Sequence, residues 1–143
     1  MNVKTILAVK GRDVIGVERT EPLSAAVQLL AKHRIGALVV FIARGGLAGI
    51  LSERDIVRAL AEHGAGALEK EVRYFMTPNV ETCTENDTVA DLMERMTEGK
   101  FRHLPVLVNA RVAGIVSIGD IVKQRVEEIE REGEALRDYI RTA

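Results

Sequence analysis

Ala48-Gly49-Ile50-Leu51-Ser52-Glu53-Arg54-Asp55-Ile56-Val57 recurs as Ala113-Gly114-Ile115-Val116-Ser117-Ile118-Gly119-Asp120-Ile121-Val122, with seven of the ten positions identical. The segments upstream correspond as well: residues 22–27 align with 88–93, and 35–40 with 101–106. Such a duplication constrains the fold more than composition does, because each copy has to be one structural unit. A copy of about 60 residues is only marginally stable alone, so the two copies are expected to share an interface.

Residue periodicity gives each copy the order β-α-β-β-α. Val14 and Val17 in the first copy, and Val80 and Cys83 in the second, alternate as in short strands. Leu23, Ala26, Val27 and Leu30 then recur at helical spacing, as do Val89, Leu92, Met93 and Met96. Buried strands follow at 37–42 and 104–108, then tight turns at 43–46 and 109–111. A second strand ends in Gly-Ile-(Leu/Val)-Ser, and a second helix opens at Ser52 or Ser117. Helices alternating with β-branched runs predict a layered α/β (α+β) fold. The expected divisions are 1–66 for the first motif, 67–126 for the second and 127–143 for a helical extension, with 64–70 as the joining loop.

Composition removes several function classes. A net charge of -1 gives no basic excess to attract nucleic-acid phosphates. With two Tyr, three Phe and no Trp, base-stacking platforms are not expected. The longest apolar run, residues 37–43, is too short to cross a bilayer. Cys83 is the lone cysteine and has no disulfide partner; with no signal-like N-terminal run, the expected location is the cytoplasm.

The two Ser-x-x-Asp segments, Ser52 to Asp55 and Ser117 to Asp120, stand where a strand gives way to a helix. Such a segment is first of all a capping box, in which hydroxyl and carboxylate satisfy free backbone N–H groups. The same geometry also suits a ligand. A helix N-terminus attracts phosphate, and a nearby carboxylate accepts from ribose hydroxyls. Duplication does not separate the two readings, since copying a fold copies its caps.

Gly-Ile-Leu-Ser-Glu-Arg-Asp and Gly-Ile-Val-Ser-Ile-Gly-Asp resemble the close of the cystathionine-β-synthase-type (CBS) motif. Phe101-Arg102-His103-Leu104-Pro105-Val106 resembles the strand before it, and Phe75-Met76-Thr77-Pro78 the approach to a second motif. The resemblance spans nearly the whole chain and is closest to short bacterial proteins made of one CBS pair. It implies two motifs about a pseudo-twofold axis, with clefts between them that take AMP, ATP, NAD, NADH or related adenine nucleotides. Asp55 and Asp120 would hold ribose hydroxyls, with Ser52 and Ser117 beside the ribose or phosphate. Ile35-Gly36-Ala37 and Phe101-Arg102-His103 would line the adenine, while Ile15, Glu81 and Thr77 would close the pocket edges. Arg54, Arg102 and His103 would serve as phosphate cations.

The copies differ. Pro105 stands where the first copy has Val39, and a Pro inside a strand marks an edge or a bulge. Gly36-Ala37 replaces Arg102-His103, and Gly119 replaces Arg54. The two clefts are therefore expected to differ in ligand affinity.

Other residues point to no chemistry. His33, His63 and His103 lack metal-site spacing, so no metal is expected. Cys83 aligns with Val17 and reads as a core thiol. Gly45-Gly46 lacks the Lys-Ser/Thr ending of a phosphate loop. No nucleophile–base pair can be assembled, so an enzyme is not expected.

Val122, Val126, Ile129, Gly133, Leu136 and Ile140 form a near-heptad stripe on a long helix over residues 120–141. Its first half is expected to pack on the chain's own body, and the part from Ile129 onward on a second copy. The leading reading is a non-catalytic adenine-nucleotide sensor, a homodimer acting on a separate, unidentified target protein. The alternative is an interaction module with non-functional clefts, working through the long helix.

Overall fold

The computed structural model describes residues 1–142; residue 143 of the expected extension lies outside the described residues. The elements run α1 (Val3–Lys10), β1 (Gly16–Glu18), α2 (Leu23–His33), β2 (Ala37–Ile42), β3 (Gly46–Ser52) and α3 (Glu53–His63). They continue with β4 (Thr77–Pro78), α4 (Val89–Gly99), β5 (His103–Val108), β6 (Arg111–Ser117) and α5 (Ile118–Thr142). The expected joining loop is a 3-10 segment, Gly64–Glu69, with Ala67 buried.

In each copy a strand pair forms the frame. β2 runs antiparallel to β3 from Ala37↔Ser52 to Ile42↔Gly46, and β5 to β6 from His103↔Ser117 to Val108↔Arg111. β1 adds to the first pair in parallel, with Val17 opposite Val40. The linker contributes β4 on the other edge, giving the order β1-β2-β3-β4.

The first strand expected in the second copy is reduced to one bridge, Cys83↔Val106. Pro105 supplies the reason. In the first copy the Val39 amide donates to the Ile15 carbonyl at 3.2 Å. Pro105 occupies the equivalent place and has no N–H, so that rung of the ladder is lost. The next rungs survive: Cys83 N–H donates to the Pro105 carbonyl at 3.0 Å, and Leu107 N–H to the Cys83 carbonyl at 2.9 Å. Pro105 does not create the bulge. Register shifts occur at both Val40/Phe41 and Val106/Leu107, and the first copy has no proline there.

The repeated Gly-Ile motif has a steric cause. A Cβ on Gly49 would lie 2.4 Å from the Thr77 carbonyl oxygen, so a glycine is needed for β4 to cross β3. On Gly114 a Cβ would meet the Leu7 side chain at 2.8 Å. The same small residue admits a linker strand in one copy and α1 in the other.

Two hydrophobic cores result. The first gathers Val17, Leu23, Ala26, Leu30, Leu38, Val40 and Leu51 with Ile56 and Val72. The second gathers Cys83, Val89, Leu92, Met96, Leu104, Val106, Val116 and Ile121. α1, which a division at residue 66 places with the first motif, buries Val3, Ile6 and Leu7 in this second core. Its N-cap is Asn2, whose side chain accepts from the Thr5 amide at 3.2 Å. Backbone bonds from Val3 to Asp87 and from Val89 to Met1 pin α1 to the start of α4.

The long helix is present, but its apolar stripe faces outward. α5 packs inward through Ile121 and Gln124, while Val122 and Val126 remain exposed. The expectation that the first half of the stripe packs on the chain's own body is therefore corrected. The inward face lies one residue before, and two before, those stripe positions, on a different side of the helix.

Candidate functional site

Both Ser-x-x-Asp segments form caps at helix starts. At α3 the Ser52 hydroxyl accepts from the Asp55 amide at 3.3 Å, and Asp55 Oδ2 accepts from Ser52 N at 2.9 Å and Ser52 Oγ at 3.1 Å. At α5 Ser117 Oγ accepts from the Asp120 amide at 3.2 Å, and Asp120 Oδ2 accepts from Ser117 N at 2.9 Å. The Gly36 carbonyl accepts from Glu53 N, and the Arg102 carbonyl from Ile118 N. Two first-turn amides of each helix are thus satisfied within the protein, which leaves fewer of them free at each helix start.

A cleft of about 280 Å³ opens at the N-terminus of α3. The first motif supplies Ile50, Ser52 and Asp55; the linker and second motif supply Thr77, Val80, Glu81, Phe101, Arg102 and His103. Seven of the candidate residues named from the sequence meet here: Ser52, Asp55, Thr77, Glu81, Phe101, Arg102 and His103. Ile15, Ile35, Gly36, Ala37, Ser117 and Asp120 do not line it; they occupy the positions related by the repeat. Arg54 is exposed on α3 and does not line it either.

The cleft combines an apolar wall with a polar end. Asp55 is largely buried, uses Oδ2 in the cap, and presents Oδ1 toward the Arg58 guanidinium at 4.0 Å. Arg58 and Asp55 also border an adjoining hollow with Tyr74 and Phe75. Glu81 is bonded to Arg95 at 2.9 Å on the opposite rim.

The surroundings of His103 disfavour a charge on its ring. Burial pushes its pKa below 6.5, Lys10 and Arg102 push it further down, and Asp120 opposes them without reversing the shift. The shift works against the phosphate-cation role expected of His103, since it disfavours the charged ring.

Lys10 distinguishes the second copy. Its ammonium donates to Asp120 Oδ2 at 2.6 Å and to the Ile115 carbonyl at 2.9 Å. Burial raises the Asp120 carboxyl pKa, but the bonds from Lys10 and Ser117 outweigh it and hold it below the ordinary value. No local pattern marks Lys10, because its partner is 110 residues away in the chain. Ile50 and Val80 were also missed as lining residues. Both belong to strand patterns that the sequence shows, but which strand face meets the cleft depends on how the two motifs dock.

Cys83 is buried, and its pKa is pushed up to about 12 by burial and by the charge of Asp87, against the opposing Arg95. A thiol shifted this far up is held in its protonated form, as suits a core side chain. No group of three or more His, Cys, Asp or Glu side chains able to hold a metal occurs among the described residues. Nor is any helix among them long and apolar enough to cross a membrane.

Two copies of one motif sharing a cleft define a paired binding module. The family model for the CBS domain matches residues 6–62 and again residues 70–127, and the chain belongs to the CBS-domain family. The crystal structure of the CBS-domain containing protein ATU1752 from Agrobacterium tumefaciens superposes with a TM-score of 0.81. It is 49% identical, over 87% of this chain and 99% of that one. The CBS domain pair of protein MJ0100, solved in complex with 5'-methylthioadenosine and S-adenosyl-L-methionine, is 29% identical with a TM-score of 0.78. That match covers 90% of this chain and 98% of the other. Among curated relatives, the CBS domain-containing protein CBSX3, mitochondrial, of Arabidopsis thaliana is 36% identical over 80% of this chain; the match spans only 58% of that relative. CBS domains are in general regulatory rather than catalytic modules.

Proposed function

We propose that the chain is a sensor module that binds one adenine nucleotide in the cleft at Asp55, without catalysing a reaction. The observation that carries this reading is the meeting of Asp55 and Ser52 from one motif with Phe101, Arg102 and His103 from the other around about 280 Å³. Ligand pockets typically start near about 300 Å³, so the space suits a nucleoside better than a whole dinucleotide. In this reading the base lies on Ile50, Val80 and Phe101, and Asp55 Oδ1 accepts from the ribose hydroxyls. Phosphates extend toward Arg102 and Arg58. The adenosine-based ligands of the MJ0100 pair support the class of ligand. Because the cleft is built from both motifs, an occupant favours the arrangement that brings them together, and this is how binding becomes a signal.

Calorimetry on Asp55→Asn and Asp120→Asn tests the assignment. Loss of the ribose-accepting carboxylate is expected to cost about 1.5–3 kcal/mol, roughly ten- to a hundredfold in affinity, in Asp55→Asn. Asp120→Asn is expected to bind as the parent does. Equal loss in both variants, or none in either, contradicts the assignment.

The alternative of an interaction module draws on the exposed apolar stripe of α5. It does not compete with a ligand in the Asp55 cleft, since the two use different surfaces.

A further inference from the structure

The family match ends at residue 127, but α5 continues as one helix to Thr142. Along the whole helix the stripe stays unpartnered: Val126, Ile129, Leu136 and Ile140 are exposed by 48%, 52%, 60% and 64%. Gly133 sits in the middle of that stripe. The row on one side of it carries Lys123, Glu130 and Arg137, and the row on the other carries Arg125, Glu132 and Tyr139. Exposed apolar side chains at heptad spacing with charged flanks are the pattern of a two-helix seam.

We propose that the stretch of α5 from Ile129 to Ile140 pairs antiparallel with the same stretch of a second copy. One register satisfies both packing and charge. It sets Ile129 against the partner's Ile140 and Gly133 against the partner's Leu136. The Leu side chain then fills the space that the glycine leaves, and twofold symmetry repeats each contact. Glu130 comes beside the partner's Arg137, also twice. A parallel pair is less favourable in packing: it sets glycine against glycine and leaves an empty layer. It would pair Glu132 with the partner's Arg137, but its other charge contact draws on Arg125, which already bonds Glu128 at 3.0 Å. An antiparallel pair about one twofold axis closes on itself, so the assembly stops at two copies. The pairing needs no ligand in either cleft.

Sedimentation equilibrium on the full chain tests this, with circular dichroism to confirm that each variant keeps its helix. The parent is expected to dimerise. Glu130→Arg and Arg137→Glu alone each turn two attractions into repulsions and are expected to weaken dimerisation roughly tenfold. The combination of both exchanges the partners and is expected to return affinity to within about threefold of the parent. In a parallel pair the combined variant would instead be weaker than either single one. There Arg125 would face the arginine that Glu130→Arg introduces, and Glu132 the glutamate that Arg137→Glu introduces. A chain that stays monomeric overturns the proposal. So does a dimer indifferent to both single changes, or a combined variant no tighter than the single ones.

Discussion

Lys10 Nζ lies 2.6 Å from Asp120 Oδ2, so the carboxylate that the repeat pairs with Asp55 is already engaged inside the protein. The same ammonium bonds the Ile115 carbonyl, which fixes the end of α1 against β6. Among the described residues Asp55 has no cation so close: Arg58 approaches only to 4.0 Å. Two nearly identical sequence motifs thus leave one carboxylate available to a ligand and one occupied, and this asymmetry underlies the expectation of one ligand per chain.

Replacing Lys10 by Gln is expected to release Asp120 and to raise the ligand stoichiometry measured by calorimetry from one to two. The ion pair is partly exposed, so its loss is expected to cost no more than about 1 kcal/mol of stability. A pH effect accompanies it. The native Asp120 pKa is held below its unfolded value, so its contribution is present above the unfolded pKa and fades as pH falls through the native one. In Lys10→Gln, thermal unfolding across the acid range should show a smaller loss than in the parent.

His103 acts in the same direction in a higher pH window. Its native pKa lies below the ordinary 6.5, so the unfolded chain binds the proton more readily. Stability then falls as pH drops from above 6.5 toward the native value. The groups acting on the ring are Lys10 and Arg102, which disfavour the proton, and Asp120, which favours it. His103→Gln is expected to flatten the dependence of Tm on pH in that window, and an unchanged slope contradicts the account.

The two signature glycines are expected to respond differently to alanine. At Gly49 the added methyl meets a backbone carbonyl at 2.4 Å, and β4 must move away from β3. At Gly114 it meets the end of the Leu7 side chain at 2.8 Å, which can turn aside. Denaturant unfolding should show Gly49→Ala as the more damaging change, by roughly 1–3 kcal/mol of overpacking strain, with Gly114→Ala milder.

Much of this architecture was legible because it is local. The helical spacing of Leu23, Ala26 and Leu30 marks α2, and that of Val89, Leu92 and Met96 marks α4. Ser-x-x-Asp marks the starts of α3 and α5 at their caps. What escaped the sequence depends on contacts between distant segments. α1 has only eight residues, too few to be stable alone, and it is held by the second core, which forms from residues far along the chain. Lys10 acquires its role only through that docking. The shortened strand at Cys83 turned on one missing N–H at Pro105, whose importance shows only once Val39 is seen donating to Ile15. The stripe on α5 was readable as apolar, but periodicity does not tell which face of a helix meets its own body.

The central claim is a single adenine-nucleotide site at Asp55. Titration calorimetry of protein freed of carried-over nucleotide, against AMP, ATP, NAD, NADH and S-adenosylmethionine in turn, tests it most directly. Saturable binding of at least one of them at one molecule per chain is the expected result. No heat from any of them, or two equivalent sites per chain, would contradict the account.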